Sequence, residues 1–147
     1  MLSVIKLSVI SIKIIEKGKN MKISKLEDLL AWQEARTLLK LVYKITSKFP
    51  IEEKYNLKMH MRECARNIPG NIAEAFGRFH FQESMQFYRI ARGSLTELKS
   101  DSYCALDVEY ITQNESTMLI IQNEKVGRLL NGLVKSTFKV KNHTDNK

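Results

Sequence analysis

Apolar residues recur every three or four positions along four long segments, and this spacing constrains the fold more than any other feature of the sequence. Residues with that spacing share one face of an α-helix, and such a face is stable only when another element covers it. Only six glycines and two prolines interrupt the 147 residues, which argues against a fold with many tight turns. The sequence therefore predicts a single all-α domain.

The spacing predicts four helices, at about 26–48, 53–77, 82–110 and 116–138. Ser24 and Glu27 have the spacing of a capping box before the first helix. Pro50 ends that helix, whereas the apolar spacing continues past Pro69, which predicts a kink in the second helix. Because the connections are short, neighbouring helices should be antiparallel, and the predicted fold class is an antiparallel up-down-up-down four-helix bundle.

The two ends of the chain are predicted to differ from the bundle, which should span residues 23–140. Residues 1–22 are interpreted as an N-terminal extension outside the fold, with a β-like arm as the alternative because isoleucines alternate at positions 10, 12 and 14. The longest charge-free run of this extension is residues 7–12, which is too short to span a membrane. Residues 141–147 are predicted to be a disordered basic tail.

The net charge of +8 is concentrated at the two ends of the chain. Four lysines against one glutamate give residues 1–20 a charge of +3, and four lysines against one aspartate give residues 135–147 the same charge. The intervening residues therefore carry only +2. Basic ends can attract nucleic acid or another anionic surface, or they can act only as solubilising tails.

The sequence contains no recognised catalytic or metal-binding motif. It lacks the Glu-x-x-His pair of di-iron bundles, a phosphate-binding glycine loop, an H-E-x-x-H zinc motif and a G-x-S-x-G nucleophile turn. Cys64 and Cys104 form no C-x-x-C pair and are expected to be buried free thiols, and His60, His80 and His143 are each interpreted as isolated. We therefore predict no enzyme activity, no cofactor, no metal site and no small-molecule substrate.

Two rows of positive charge have a spacing of four residues. The first helix carries Arg36, Lys40, Lys44 and Lys48, and the second carries Lys54, Lys58, Arg62 and Arg66. Side chains four residues apart are neighbours on a helix surface, so each row concentrates like charges. An anionic partner such as RNA would relieve this repulsion, although two solvated helix faces are the simpler interpretation.

A polar cluster is predicted around Pro69, where the second and third helices should approach each other. An Arg–Glu–Asn network in this position would be structural, fixing the helix register or an oligomer interface. Its predicted members are Asn71, Glu74, Arg92 and Glu97.

Three ordered segments resemble the family of 23S rRNA-intervening sequence proteins, also called S23-like proteins. Residues 28–35 are similar to its D-L-x-x-W-Q-x-A motif, residues 62–78 to R-R-A-x-x-S-I-P-x-N-I-A-E-G-x-G-R, and residues 90–98 to I-A-x-G-S-x-x-E-L. The resemblance covers about residues 26–135. The chain departs from the family pattern at Glu63, where arginine is favoured, and at Ala75 and Glu109, where glycine is usual.

The resemblance implies a bacterial, cytoplasmic four-helix bundle encoded within a 23S rRNA gene or by a free-standing copy. It also implies similarity to the accessory protein of diversity-generating retroelements, a pentamer that binds nucleic acid and a reverse transcriptase. The leading hypothesis is accordingly a non-enzymatic homo-oligomer, with a pentamer expected, that binds RNA or a ribonucleoprotein through basic helix faces. The candidate RNA-binding residues are Arg36, Lys40, Lys44, Arg62, Arg66, Arg78, Arg89 and Arg92.

Two other hypotheses remain open at this point. The near-neutral middle of the chain also suits a protein–protein adaptor with no RNA affinity of its own. An enzyme that uses no recognisable motif is the third hypothesis, and a cleft containing strongly shifted ionisable groups would favour it.

Overall fold

A computed structural model of the chain describes residues 12–16, 19–78 and 80–146. Two strands, β1 (Ile12–Glu16) and β2 (Lys19–Ile23), precede four helices. The helices are α1 (Leu30–Thr46), α2 (Leu57–Gly77), α3 (Phe81–Asp107) and α4 (Gln113–Asp145). Short 3-10 turns at Leu26–Asp28 and Ile51–Glu53 precede α1 and α2.

The four helices enclose one apolar core, and the predicted four-helix bundle is confirmed. The main contacts join α1 to α2 and α4, and α3 to α2 and α4, so α1 and α3 occupy diagonal corners. Every helix contributes fully buried side chains, among them Leu38 of α1, Ile68 of α2, Leu98 of α3 and Leu130 of α4. Helix α2 continues through Pro69, whose buried ring lies within this core.

Hydrogen bonds between neighbouring helices pair rising residue numbers on one helix with falling numbers on the other. Between α2 and α3, His60 contacts Asp101, Cys64 contacts Glu97, and the Ala75 carbonyl accepts a bond from the Ser84 hydroxyl. This order is the one that antiparallel packing produces, and the connection from 78 to 80 is short enough to allow it.

The helix starts differ from those predicted. Ser24 and Glu27 form no capping box, because a 3-10 turn and an extended, buried Leu29 separate them from the start of α1. The capping box lies instead before α4, where the Thr112 hydroxyl accepts a bond from the Glu115 amide and the Glu115 carboxylate accepts one from the Thr112 amide. Thr112 and Glu115 have the same capping-box spacing in the sequence as Ser24 and Glu27.

Within the described residues, both ends of the chain form regular secondary structure. Strands β1 and β2 form an antiparallel hairpin in which Ile12 pairs with Ile23, as the alternative of a β-like arm proposes, and β1 contacts α4. Residues 141–145, which the sequence analysis assigns to a disordered tail, continue α4 as helix. The sequence has no proline after Pro69, so no proline ends α4 before residue 145. The Lys141 ammonium of α4 lies over the ring of Phe81 in α3, 4.7 Å from its centroid. Residues 1–11, 17, 18 and 147 lie outside the described part.

Glu109 has a left-handed backbone conformation, with φ at 63°. It directly follows the end of α3, and the Tyr110 amide donates back to the Ala105 carbonyl at 2.9 Å, which is the bond of a Schellman motif. Glycine is the residue that adopts this conformation without steric cost. The structure thus gives a physical reason for the glycine that is usual at this position.

Glu109→Gly is expected to raise the free energy of unfolding by about 0.5–1 kcal/mol. The change removes a steric cost of about 1–2 kcal/mol, partly offset by the greater freedom of glycine in the unfolded chain. Urea unfolding would measure the difference, and Glu109→Ala serves as the control because alanine keeps the Cβ atom. Equal stability of both variants would contradict a strained Glu109.

Glu115 connects the start of α4 to the end of α1, because its carboxylate also pairs with the ammonium of Lys48. The hydrogen bond from the Lys48 ammonium and the one from the Thr112 amide lower the pKa of Glu115 below its ordinary value of 4.5. A lowered pKa in the folded state contributes stability above the unfolded value, and that contribution is lost as the pH falls through the folded pKa.

Glu115→Gln is therefore expected to reduce the loss of stability between about pH 5 and pH 3. Urea midpoints measured across this range would test the change. Glu27→Gln is the matched control, because Glu27 is exposed and has no ion-pair partner among the described residues. If the stability of the wild type and of Glu115→Gln fell equally between these pH values, the contribution of the Glu115 pKa to acid unfolding would be contradicted.

Candidate nucleic-acid interface

The outer face of α1 is basic. Arg36, Lys40 and Lys44 are exposed, and their spacing of four residues places them opposite the buried side chains Leu38 and Val42. None of these three cations has an ion-pair partner among the described residues. The Arg36 guanidinium lies over Trp32, 4.7 Å from the ring centroid, so a flat cationic group and an aromatic ring stand together on this face.

Helix α2 extends this basic surface on the side that packs against α1. Arg66 is exposed and has no ion-pair partner in the described part of the chain. Arg62, one turn earlier, contacts Tyr43 and Thr46 of α1 across the helix boundary. We define the α1/α2 basic face by its four exposed cations: Arg36, Lys40, Lys44 and Arg66.

Two of the carboxylates close to these cations in sequence are bonded to other groups. Glu34 accepts a hydrogen bond from Gln122 and pairs with Lys125 of α4, and these contacts lower its pKa. Glu53 accepts bonds from the Leu57 amide and the Tyr110 hydroxyl. Glu34 and Glu53 therefore do not neutralise the cations of the α1/α2 basic face by pairing with them, although the sequence places these acids among its basic residues.

Arg62 was predicted to contact RNA, but its guanidinium already joins α1 to α2. Its Nε atom donates to Thr46 Oγ1 at 2.9 Å, and its Nη2 atom donates to the Tyr43 carbonyl at 3.3 Å. The same group lies over the Tyr43 ring, 4.3 Å from the centroid. These contacts use one edge and one face of the guanidinium, so we interpret Arg62 mainly as a structural residue.

Arg62→Ala is expected to lower the free energy of unfolding by about 1.5–3 kcal/mol, the typical contribution of hydrogen bonds to a charged group. Arg66→Ala is the matched control, since Arg66 lies one turn away and makes no such bond, and it should change stability by less than about 0.5 kcal/mol. Thermal and urea unfolding would compare the two. Equal effects would contradict the structural role of Arg62.

The other three candidate arginines lie away from the α1/α2 basic face. Arg78 follows the end of α2 and pairs with Glu74 and Glu83. Arg92 of α3 donates to Asn131 Oδ1 of α4 at 2.9 Å, which places it on the side of the bundle opposite the α1/α2 basic face. Arg89 is exposed on α3, one turn before Arg92. The eight predicted residues therefore do not form one surface.

A basic row on α4 was missed by the sequence analysis, which assigned the end of this helix to a tail. Arg128, Lys135 and Lys139 are exposed and are spaced by seven and four residues, so they share one outer face of α4. Their helical spacing was the available signal. With Arg89 and Arg92 they define a second basic area, which we name the α3/α4 basic face.

Among the hydrogen bonds and ion pairs of the described residues, none joins Asn71, Glu74, Arg92 and Glu97 to one another. The Asn71 side chain donates to the Asn67 carbonyl of its own helix, and Glu74 pairs with Arg78. Arg92 and Glu97 are five residues apart, which places them on different faces of α3 at about 100° per residue. Arg92 consequently bonds to α4, whereas Glu97 faces α2.

Glu97 belongs to a cluster that the sequence analysis did not anticipate. His60 is not isolated, because its Nδ1 lies 2.5 Å from Asp101 Oδ2 and its Nε2 lies 3.4 Å from Glu97 Oε2. Cys64 is buried and donates its thiol to Glu97 at 3.4 Å, whereas Cys104 is exposed rather than buried. His60 and Cys64 are one turn apart on α2, and Glu97 and Asp101 are one turn apart on α3, so antiparallel packing brings the two pairs together.

Protonation in this cluster follows from its contacts. Burial, together with the hydrogen bond to Glu97, raises the pKa of Cys64 to about 12. The hydrogen bond with Asp101 raises the pKa of His60 despite some burial. The Cys64 thiol is therefore protonated at neutral pH and is a poor nucleophile.

An open depression of about 580 Å³ lies at the end of α2. It is lined by Ala73, Glu74, Gly77, Arg78, His80 and Glu83. Arg78 pairs with both of the glutamates that line it, so the charged groups satisfy one another. Such a mixed, open surface does not define a substrate site.

The apolar spacing of the fourth helix predicts Met118, Ile121 and Val126 on its inner face, but the structure buries only Val126 of these three. Leu119 lies in the core beside Val126, whereas Met118 is 53% exposed and Ile121 is 60% exposed. Their three-residue spacing gives one apolar patch on the outer face. None of the helices in the described residues is long and apolar enough to cross a membrane.

Comparison with known proteins gives one family match. The model of the family described as 23S rRNA-intervening sequence protein matches residues 27–132. That range runs from the 3-10 turn before α1 to the middle of α4 and excludes the hairpin. No curated protein matches the chain.

Proposed function

The chain belongs to the 23S rRNA-intervening sequence protein family, and on that premise we propose that it is a non-enzymatic, homo-oligomeric bundle that binds RNA or a ribonucleoprotein. The proposed interface is the α1/α2 basic face. The protein acts in the cytoplasm, where free thiols such as Cys64 and Cys104 are the normal state of cysteine.

The observation that carries this proposal is a set of exposed cations left without carboxylate partners. Arg36, Lys40, Lys44 and Arg66 are exposed on adjacent helices, and the neighbouring Glu34 and Glu53 are bonded to other groups. Phosphates that approach this face would release counterions without first breaking an ion pair. The exposed guanidinium of Arg36, which lies over Trp32, adds a flat group against which an unpaired base could stack.

Cross-linking of bound RNA followed by peptide mapping would test the location of this interface. The proposal expects cross-links in α1 and the middle of α2, including Tyr43, which is 36% exposed between the two basic rows. Cross-links concentrated on α3 and α4 would overturn this assignment and favour the α3/α4 basic face. RNA that binds without contacting either face would contradict both.

Homo-oligomer formation is the second part of the proposal, with the pentamer that the family resemblance implies as the expected state. The apolar patch of Met118 and Ile121 supports a protein contact on α4, because neighbouring exposed apolar side chains gain from burial together. Light scattering would measure the mass. A Met118→Ser/Ile121→Ser variant should dissociate toward the monomer, and an unchanged mass would exclude this patch from the interface.

The same apolar patch favours the alternative function, a protein–protein adaptor without RNA affinity. Under that alternative, the α4 patch binds a different protein and the basic faces are only solvated. Absence of RNA binding at every salt concentration, together with one stoichiometric protein partner, would select the adaptor.

A further inference from the structure

We propose that His60, Cys64 and Glu97 form a binding site for a transition-metal ion of the Zn²⁺ class between α2 and α3. The three ligand atoms are His60 Nε2, Cys64 Sγ and Glu97 Oε2. Asp101 is a positioning residue that orients the imidazole. This site is independent of RNA binding, and no sequence motif marks it.

The distances between the three donor atoms fit one tetrahedral ion. His60 Nε2 lies 3.8 Å from Cys64 Sγ and 3.4 Å from Glu97 Oε2, and Cys64 Sγ lies 3.4 Å from Glu97 Oε2. Zinc binds nitrogen and oxygen at about 2.0–2.2 Å and sulfur at about 2.3 Å, so the edges of its ligand tetrahedron are about 3.3–3.6 Å. The triangle requires shifts of only a few tenths of an ångström to accept the ion.

The contact between Asp101 and His60 supplies the support that metal-binding histidines usually have. Asp101 Oδ2 lies 2.5 Å from His60 Nδ1, whereas the other ring nitrogen, Nε2, is the one that contacts Cys64. A carboxylate in this position holds the proton on Nδ1 and leaves Nε2 free to bind the ion. The Asp101 side chain is only 16% exposed, so this orientation is held by packing as well as by the bond.

The donor set also selects the class of ion. One nitrogen, one sulfur and one carboxylate oxygen suit Zn²⁺ or Co²⁺, whereas Mg²⁺ and Ca²⁺ prefer oxygen ligands alone. Three protein ligands leave the fourth tetrahedral position for water. The side chains of His60 and Glu97 are 48% and 62% exposed, so the ion can enter from solvent.

Binding replaces a proton that the cluster now holds. The Cys64 thiol donates to Glu97, and the ion forms a bond to sulfur as the S–H proton leaves to bulk water. The ion would add charge +2 beside Glu63, Glu97 and Asp101, all of which act electrostatically on Cys64. The bound ion then connects α2 to α3 in place of the Cys64–Glu97 hydrogen bond and the His60–Glu97 ion pair, while the contact of His60 with Asp101 is retained.

Titration of the full chain, without a histidine tag, with Co²⁺ tests the site directly. The expected result is one ion per chain, a sulfur-to-cobalt charge-transfer band, and displacement of the ion by Zn²⁺. Cys64→Ser should abolish the band. Cys104→Ser is the matched control, because this exposed thiol on α3 lies outside the cluster, and its titration should equal that of the wild type.

Two further variants separate ligands from structural residues. His60→Gln keeps a polar side chain at an exposed position and should remove stoichiometric binding, while Asp101→Asn should weaken it by about 10–100-fold. Circular dichroism of each variant verifies that the helices are retained. If the wild type shows no sulfur-to-cobalt charge-transfer band, the proposal is wrong. A band that is lost in Cys104→Ser but kept in Cys64→Ser would also overturn it.

Discussion

Replacing Lys40, Lys44 and Arg66 together with glutamate is expected to weaken RNA binding about a hundredfold at 0.1 M salt. Each lost phosphate contact reduces the slope of log K against log salt by about 0.7–0.9, so three contacts amount to roughly two orders of magnitude relative to 1 M salt. Arg62 is left unchanged because it joins α1 to α2. Its replacement would confuse a loss of stability with a loss of contact.

The matched control reverses three exposed cations on the opposite side of the bundle. This variant replaces Arg128, Lys135 and Lys139 with glutamate, so it produces the same change in net charge and leaves the α1/α2 basic face intact. Fluorescence anisotropy with labelled RNA at several salt concentrations would compare both triple variants with the wild type. Equal losses in the two triple variants would indicate attraction by net charge alone and would contradict a localised interface.

Ile72→Ala is expected to lower the free energy of unfolding by about 2–5 kcal/mol. Ile72 is completely buried on α2, so truncation removes apolar contacts and leaves a cavity in a well-packed core. Ile90→Ala is the matched control, because the same side chain on α3 is 44% exposed. Urea unfolding should give a loss below about 1 kcal/mol for the control.

The outcome for Ile72 bears on the meaning of the segment at 68–74 that resembles the family motif. Its apolar members Ile68, Pro69 and Ile72 are buried, whereas Asn71 and Glu74 bond only within their own helix and its end. A small effect of Ile72→Ala would contradict a purely structural origin of the segment. A large effect would support the view that this motif specifies helix packing and not a binding site.

The helical architecture was predictable because each buried face repeats along a helix without long-range information. The spacing that places Leu38, Ile68 and Leu98 in the core is visible in the sequence alone. The prediction of buried residues was wrong where one helix carries apolar residues on two adjacent faces. Around Met118 and Ile121, neighbouring apolar residues offered two possible faces, and only packing against the other helices selects Leu119 and Val126.

The candidate sites were less predictable, because they depend on the register between helices. The sequence shows the row of Arg36, Lys40 and Lys44, because its spacing lies within one helix. The hydrogen bonds of Arg62 to Tyr43 and Thr46 could not be predicted in this way, because they depend on how α1 packs against α2. The cluster of His60, Cys64, Glu97 and Asp101 shows the same dependence. Each half has a simple four-residue spacing, and only the antiparallel contact of α2 with α3 brings nitrogen, sulfur and oxygen ligands together.

The left-handed Glu109 is a different kind of result. The resemblance to the family pattern implies glycine at this position, and the φ of 63° at Glu109 is a conformation that favours glycine. The chain therefore carries a strained residue where the family pattern implies an unstrained one. The predicted gain in stability from Glu109→Gly therefore links a family pattern to a measurable backbone cost.

RNA binding by the full chain is the central claim, and one titration tests it most directly. The affinity for a 23S rRNA fragment and for an unrelated RNA would be measured at low and at physiological salt, with the mass of the free protein determined by light scattering. The account predicts binding that persists at physiological salt, a salt dependence set by several phosphate contacts, and a mass of several subunits. Loss of binding to both RNAs at physiological salt would contradict the RNA-binding function and would favour the protein adaptor.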